Sequence, residues 1–286
     1  MAPLLLGGIM EGYTGYREIL VEDEFLNRFY SGQITPETFC LKNNEYLILI
    51  NDEGEAIDYY CNSNGVLRRV SYPVITNNFT GEMKPRNPQQ YCALDLLKND
   101  DVPVKLLTGR FGTGKTMACV KAALQAIEEG KFEKIVFVRN NVQVKDTDNL
   151  GALPGDIDNK MLPYLLPFAD HCGGLEGVKR LVEDGVLEVV PLAYLRGRSI
   201  RNAIIYSMES ENLTKEHIQL IIGRADEGAQ VWFDGDLKQR DKGIFEKSQG
   251  LERMIERLQD NKLFGYIHMP KVERSPIAAL ADELDD

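Results

Sequence analysis

Histidine is scarce in this chain of 286 residues: His171, His217 and His268 stand apart, and none has a second ligand at helical spacing. That argues against a zinc centre and against metal-dependent hydrolysis without a nucleotide. The five cysteines (Cys40, Cys61, Cys92, Cys119, Cys172) are odd in number, widely separated and never in a C-x-x-C pair. No disulfide framework is implied, and free thiols in a reducing compartment suit the pattern. No apolar run approaches the ~20 residues of a membrane helix, and the opening Met1–Met10 is too short for a secretion signal and lacks its basic start. The chain is expected to be cytoplasmic and unanchored. Positive charge is also in short supply, with 33 Lys and Arg against 44 Asp and Glu for a net charge of −11. Wholesale electrostatic wrapping of nucleic acid is thereby disfavoured, although a local basic rim would survive such an average. There is no internal repeat or low-complexity tract, only an acidic tail (Asp282, Glu283, Asp285, Asp286) that reads as frayed and solvated.

The chain is long enough for one large or two modest domains. Residues 1–83 carry short β-prone runs, Glu45–Ile50 and Val66–Val70, between hairpin signals at Asn51–Gly54 and Asn62–Gly65. With one helix around Glu22–Tyr30, they predict a small, mostly β module whose tyrosines serve packing. Pro85 and Pro88 punctuate the boundary to a second region, residues 84–286, where apolar strands alternate with helices. The strands expected there are Val104–Thr108, Ile135–Arg139, Leu187–Val190, Ala203–Ser207 and Val231–Gly235, with Leu263–His268 as a sixth at the edge. This is the pattern of an α/β fold, a parallel sheet wound with crossover helices on both faces.

Gly109-Arg110-Phe111-Gly112-Thr113-Gly114-Lys115-Thr116 fits G-x-x-x-x-G-K-S/T at every fixed position. It follows the buried-strand pattern at Val104–Thr108 and precedes Met117–Ile127, a good helix former without Pro or Gly. The glycines (Gly109, Gly112, Gly114) let the backbone N–H groups turn onto a phosphate, with Thr113 in the same turn, and the helix N-terminus adds its dipole. Lys115 reaches toward the β- and γ-phosphates, and Thr116 offers a hydroxyl to Mg2+. The chain is therefore expected to bind a nucleoside triphosphate, ATP, outside the carboxyl ends of the strands. A glycine turn that happens to end in Lys-Thr is the bland alternative, and the flanking strand and helix weigh against it.

Several further runs occur in order. Gln90, in Asn87-Pro88-Gln89-Gln90-Tyr91, lies about twenty residues before the loop, where helicase-like ATPases place a glutamine that reads adenine. Leu150–Asp156, Lys160–Asp170 and Leu195–Ser199 follow, then Gly235-Asp236-Leu237-Lys238-Gln239-Arg240-Asp241 and Val272-Glu273-Arg274-Ser275-Pro276. From residue 85 to about 280 this series resembles the PhoH-like ATPases, the last two runs matching the family's G-D-x-x-Q-x-D and V-x-R-S-P. The resemblance implies a helicase-like (RecA-like) P-loop domain. It makes Asp236 and Gln239 candidates for sensing the γ-phosphate or positioning water. Arg274, permanently charged and forked, suits a transferring phosphoryl group; a surface salt bridge is its alternative. A homo-oligomeric ring, a hexamer, is implied as well, with such an arginine supplied across a subunit boundary. Many relatives carry a nuclease domain ahead of a small β module. Residues 1–83 have too few spaced carboxylates for one, so ribonuclease activity is not expected.

The chain departs from the family where a strand should end in Asp-Glu. Glu209 aligns with the glutamate that polarises the attacking water, but Met208 occupies the aspartate position, and a thioether is a poor partner for hard Mg2+. The run after Arg139 also lacks the family's usual Arg-Pro start. Two functions follow from different classes: an Mg2+-dependent ATPase coupled to single-stranded RNA binding or remodelling, or a nucleotide-binding switch with weak or no hydrolysis. Arg196, Arg198 and Arg201 form a compact basic cluster expected near the site. Contact with the phosphates of a strand and pairing with neighbouring carboxylates are equally open for them.

Overall fold

A computed structural model of the chain describes residues 12–34, 36–139, 162–238 and 249–273. The leading module begins with strand β1 (Tyr16–Leu20) and helix α1 (Asp23–Tyr30), followed by β2 (Tyr46–Ile50), β3 (Ala56–Ser63) and β4 (Val66–Arg69). They form a sheet in the order β1-β2-β3-β4, parallel between β1 and β2 and antiparallel beyond. Both expected hairpins form. The one between β3 and β4 turns on Asn64 and Gly65, whose φ angles of 52° and 85° are both positive, as a two-residue type I′ turn requires. β2 is buried on both faces because its alternate side chains serve two cores. Leu47 and Leu49 pack with Phe29 of α1, whereas Tyr46, Ile48 and Ile50 join the core of the region that follows.

Hairpin β5 (Ile75–Asn77) and β6 (Gly81–Met83) comes last before residue 84, followed by α2 (Pro88–Lys98), β7 (Val104–Thr108), α3 (Lys115–Glu128) and β8 (Lys134–Arg139). After them come α4 (Leu162–Ala169), α5 (Gly174–Glu183), β9 (Leu187–Pro191), β10 (Ala203–Ser207), α6 (Lys215–Ile222), β11 (Gln230–Gly235), α7 (Gly250–Leu258) and β12 (Phe264–His268). The six expected strands make one wholly parallel sheet, ordered β12-β7-β11-β10-β8-β9. Along each strand the side chains alternate between two apolar layers. Leu107, Ile135, Phe137, Ile204, Tyr206 and Trp232 pack with α2, α3, α4 and α5. Leu106, Val136, Ile205, Val231 and Phe233 pack with α6 and α7. Burial on both faces explains why these strands read as near-continuous apolar runs.

Buried polar residues interrupt those runs, Lys105 among them. Lys105, inside β7, is 1% exposed, and burial pushes its amine down to about 7. The amine donates to the Leu97 carbonyl at 2.8 Å and lies 4.9 Å from the centre of the Trp232 ring. The hairpin β5–β6 lies against α3: Asn77 donates to the Lys121 carbonyl at 3.1 Å, and the Lys121 amine donates to the Thr80 carbonyl at 2.7 Å. No helix among the described residues is long and apolar enough to cross a membrane.

Candidate nucleotide-binding site

The glycine-rich loop leaves the carboxyl end of β7 and runs straight into α3. Two of its glycines are fixed by sterics. A Cβ on Gly109 would stand 2.2 Å from the Met269 carbonyl oxygen, and Gly114, the N-cap of α3, sits in the left-handed region at φ 89°. The loop is braced from three sides. The Gly109 N–H donates to the Gly235 carbonyl at 3.2 Å, and the Glu273 N–H donates to the Gly112 carbonyl at 3.0 Å. The Gln90 side-chain amide donates to the Thr113 carbonyl at 3.0 Å. Thr113 is fully buried, its hydroxyl donating to the Arg110 carbonyl at 3.0 Å.

Gln90 is itself buried, and its carbonyl oxygen accepts from the Arg86 N–H at 2.9 Å. α2 starts there because Asn87 caps the Gln90 N–H at 2.8 Å and Pro88 takes the first helical position. The Asn87 amide also donates to Glu273 at 2.8 Å, so the segment leaving β12 is clamped between the start of α2 and the loop. Gln90 therefore acts on the loop backbone and does not line the cleft in front of it.

That cleft, of about 350 Å³, is lined by Gly112, Gly114, Lys115 and Thr116 of the loop and α3 together with Met208, Glu209, Glu211, Asp234 and Asp236. The Lys115 amine is folded onto its own loop, donating to the Gly109 and Arg110 carbonyls at 2.7 and 3.0 Å. Thr116 donates from its hydroxyl to Asp234 Oδ2 at 2.7 Å. The same oxygen accepts from the Tyr206 hydroxyl at 2.9 Å, and Asp234 Oδ1 accepts from the Glu209 N–H at 3.0 Å. Glu209 adopts a left-handed backbone, φ 51° and ψ 51°, which carries the chain sharply off the end of β10. Its side chain is exposed.

Glu211 lies deeper. Its carboxylate accepts from the Asp236 N–H at 3.2 Å, and burial, with Asp234 and Glu209 nearby, pushes it up to about 7. Asp236 is buried and accepts from the Lys238 N–H at 2.9 Å, capping its own turn. Asp170 and His171 close the far wall of the cleft, and burial lowers the histidine below its ordinary value.

Lys115, Thr116, Glu209 and Asp236 are thus gathered around one cleft. Gln239 and Arg274 lie outside the described residues, as do Leu150–Asp156 and the family departure following Arg139. Asp234, Glu211 and His171 are members that the motif reading passed over. The first had one available signal, an acid ending the otherwise apolar run Val231-Trp232-Phe233.

Two of the three clustered arginines meet the carboxylate alternative. Arg201 precedes β10, and Arg198 pairs at 2.8 Å with Glu188, near the start of β9, which also pairs at 2.7 Å with Lys134 at the start of β8. These are the amino ends of parallel strands, a strand length of about 15 Å from the loop end. Arg201 is paired with Asp226 at 2.9 Å, and Arg196 is exposed on the segment after β9. Arg198 and Arg201 thus lie at the end of the sheet away from the loop.

A parallel sheet with helices on both faces, a glycine-rich loop at a strand's carboxyl end and a hydroxyl-bearing residue opening the next helix define a P-loop nucleotide-binding α/β protein. The PhoH-like protein family model matches residues 82–284, and the chain belongs to that family. It is 30% identical to Protein PhoH2 of Bacillus subtilis (strain 168) over 295 residues, aligning 96% of this chain with 64% of that protein. A Protein PhoH2 of Thermobispora bispora is 29% identical over 282 residues, covering 96% of this chain and 63% of that one. A PhoH-like protein of Bacillus subtilis is 34% identical over 178 residues, covering 59% of this chain and 54% of that one. The chain spans less than two thirds of the length of these relatives.

Proposed function

We propose that the chain binds ATP with Mg2+, hydrolyses it, and couples the cycle to binding or remodelling single-stranded RNA as a helicase-like member of its family. The observation that carries the nucleotide part is the cleft itself, which gathers the loop, Lys115 and Thr116 with carboxylates, Asp234 in direct contact with Thr116. Lys115 rests on two neutral backbone carbonyls, for which an anionic phosphate would substitute. The N–H groups at the start of α3 add fixed positive potential.

Mg2+ suits this donor set. Among the described residues no cluster of three or more His, Cys, Asp or Glu forms a protein-only cage, and hard oxygens beside a phosphate loop are what Mg2+ takes up. Thr116 would hold it, and when bound the ion would neutralise charge on the β- and γ-phosphates. Glu209 or Glu211 would orient water in the cleft, and Glu211, its carboxyl pushed up to about 7, is well matched to accepting a proton at neutral pH. Gln239, Asp236 and Arg274 are assigned to γ-phosphate sensing and charge stabilisation by the family pattern, Arg274 across a boundary in an oligomeric ring. RNA coupling rests on that family pattern alone, since the paired arginines at the far end of the sheet do not support it.

A second reading, a nucleotide switch with little turnover, is favoured by Met208 at the aspartate position. Steady-state ATP hydrolysis with Mg2+, with and without single-stranded RNA, separates the two, with Lys115→Ala as control. Turnover that disappears in the control and rises with RNA is the expected result. Binding without turnover would replace the motor by the switch.

A further inference from the structure

The family pattern puts the metal-side aspartate at the end of β10, where this chain has Met208. The two central strands pair in parallel register, Ile204 with Gln230 through Ser207 with Phe233. The next pair along that register is Met208 with Asp234. Register partners in a parallel sheet face the same side, and here that side is the one α3 covers, since Tyr206, Trp232 and Met208 all belong to that layer. The carboxylate missing from β10 therefore stands one strand over, on β11, at the same height and on the same face. One strand spacing is about 4.8 Å, and the displacement is toward the loop, because β11 lies between β10 and β7.

We infer that Asp234 performs on β11 the metal-side role that Met208 has vacated on β10, holding the Thr116 hydroxyl and the water shell of Mg2+. This rests on the ATP-binding reading above and deepens it. The contacts are those of a built site. Asp234 is 1% exposed and touches Thr116 directly at 2.7 Å. The Tyr206 hydroxyl spans the lateral gap from β10, and the Glu209 N–H fixes the other carboxylate oxygen, so both oxygens are aimed. Among the described residues these hydrogen-bond partners are three neutral donors. A buried carboxylate satisfied by neutral donors keeps a net negative charge that a cation can complete. The same proton geometry lets Thr116 donate to Asp234 while its lone pairs remain available to a metal. The bond from Glu209 also ties the metal side to the residue assigned to water, so the two carboxylates are positioned as one unit.

The test is Mn2+ binding in the presence of ATP, read by electron paramagnetic resonance of the free ion, beside binding of a fluorescent ATP analogue in EDTA. Asp234→Asn should weaken Mn2+ in the ternary complex about 10- to 100-fold while metal-free nucleotide binding persists. Adding Met208→Asp to that variant should restore Mn2+ affinity. Met208→Asp alone, which keeps Asp234 and stays informative if the asparagine variant fails to fold, should not tighten Mn2+. Wild-type Mn2+ affinity in a folded Asp234→Asn protein, or tightening by Met208→Asp alone, would overturn the assignment while leaving ATP binding intact. Failure of the wild-type chain to bind the analogue with or without metal would instead remove the ATP reading, and this inference with it.

Discussion

The Tyr46 hydroxyl donates to Asp95 Oδ2 at 2.7 Å, joining β2 of the leading module to α2, the helix that carries Gln90. Arg68 grips both oxygens of the same carboxylate, at 3.1 and 2.6 Å. Asp95→Ala should destabilise the chain by about 1–3 kcal/mol, mostly because the fully buried Tyr46 hydroxyl loses its acceptor. The Arg68 contribution is discounted, since that side chain is 40% exposed. Urea denaturation of the variant against wild type measures the difference. Asp95→Asn, which keeps an acceptor, should recover part of it.

Gln90 braces the loop through the Thr113 carbonyl. Gln90→Ala should weaken ATP and GTP binding alike, by roughly 5-fold for one lost hydrogen bond of about 1 kcal/mol. Competition titration with both nucleotides checks this. A loss confined to ATP would move the amide from the loop to the base.

Glu211 gives stability a pH dependence of known sign. Its carboxyl is raised from 4.5 to about 7 in the folded chain, chiefly by burial. Between those values the folded state keeps a proton that the unfolded state has released, so the Glu211 contribution to stability falls as pH rises through the window. Glu211→Gln removes that slope, and relative to wild type it should gain up to about 3 kcal/mol at pH 8 but little at pH 4. Urea midpoints of both proteins across this range are the measurement, and a constant difference would contradict the assigned environment.

The six sheet strands and the phosphate loop were legible because each is a local pattern, an apolar run or a fixed glycine spacing. Burial on both faces of the sheet made those runs conspicuous. Asp234 showed only as an acid ending an apolar run, because its importance comes from register: it matters through standing beside Met208 and touching Thr116, and nothing in Val231–Gly235 states either fact. Lys105 failed to announce itself for the same reason, its carbonyl acceptor and its Trp232 ring coming from other elements. The arginines show the converse case, where the sequence left two outcomes open. Arg196, Arg198 and Arg201 are close in sequence to family motifs, yet Arg198 and Arg201 sit with carboxylates at the amino ends of the strands.

The strand that launches the phosphate loop, β7, is the first of its sheet to leave a ribosome, and its two neighbours, β11 and β12, are the last. Throughout most of synthesis both edges of β7 therefore lack their partners, and an apolar strand with open edges is an invitation to pair with another chain. The closing backbone bond to the loop, from Glu273, arrives later still. A product truncated before β12 would carry every glycine of the loop without the bond that Glu273 makes to it. Ribosomal pausing late in the message would prolong the most aggregation-prone stage of this molecule's life.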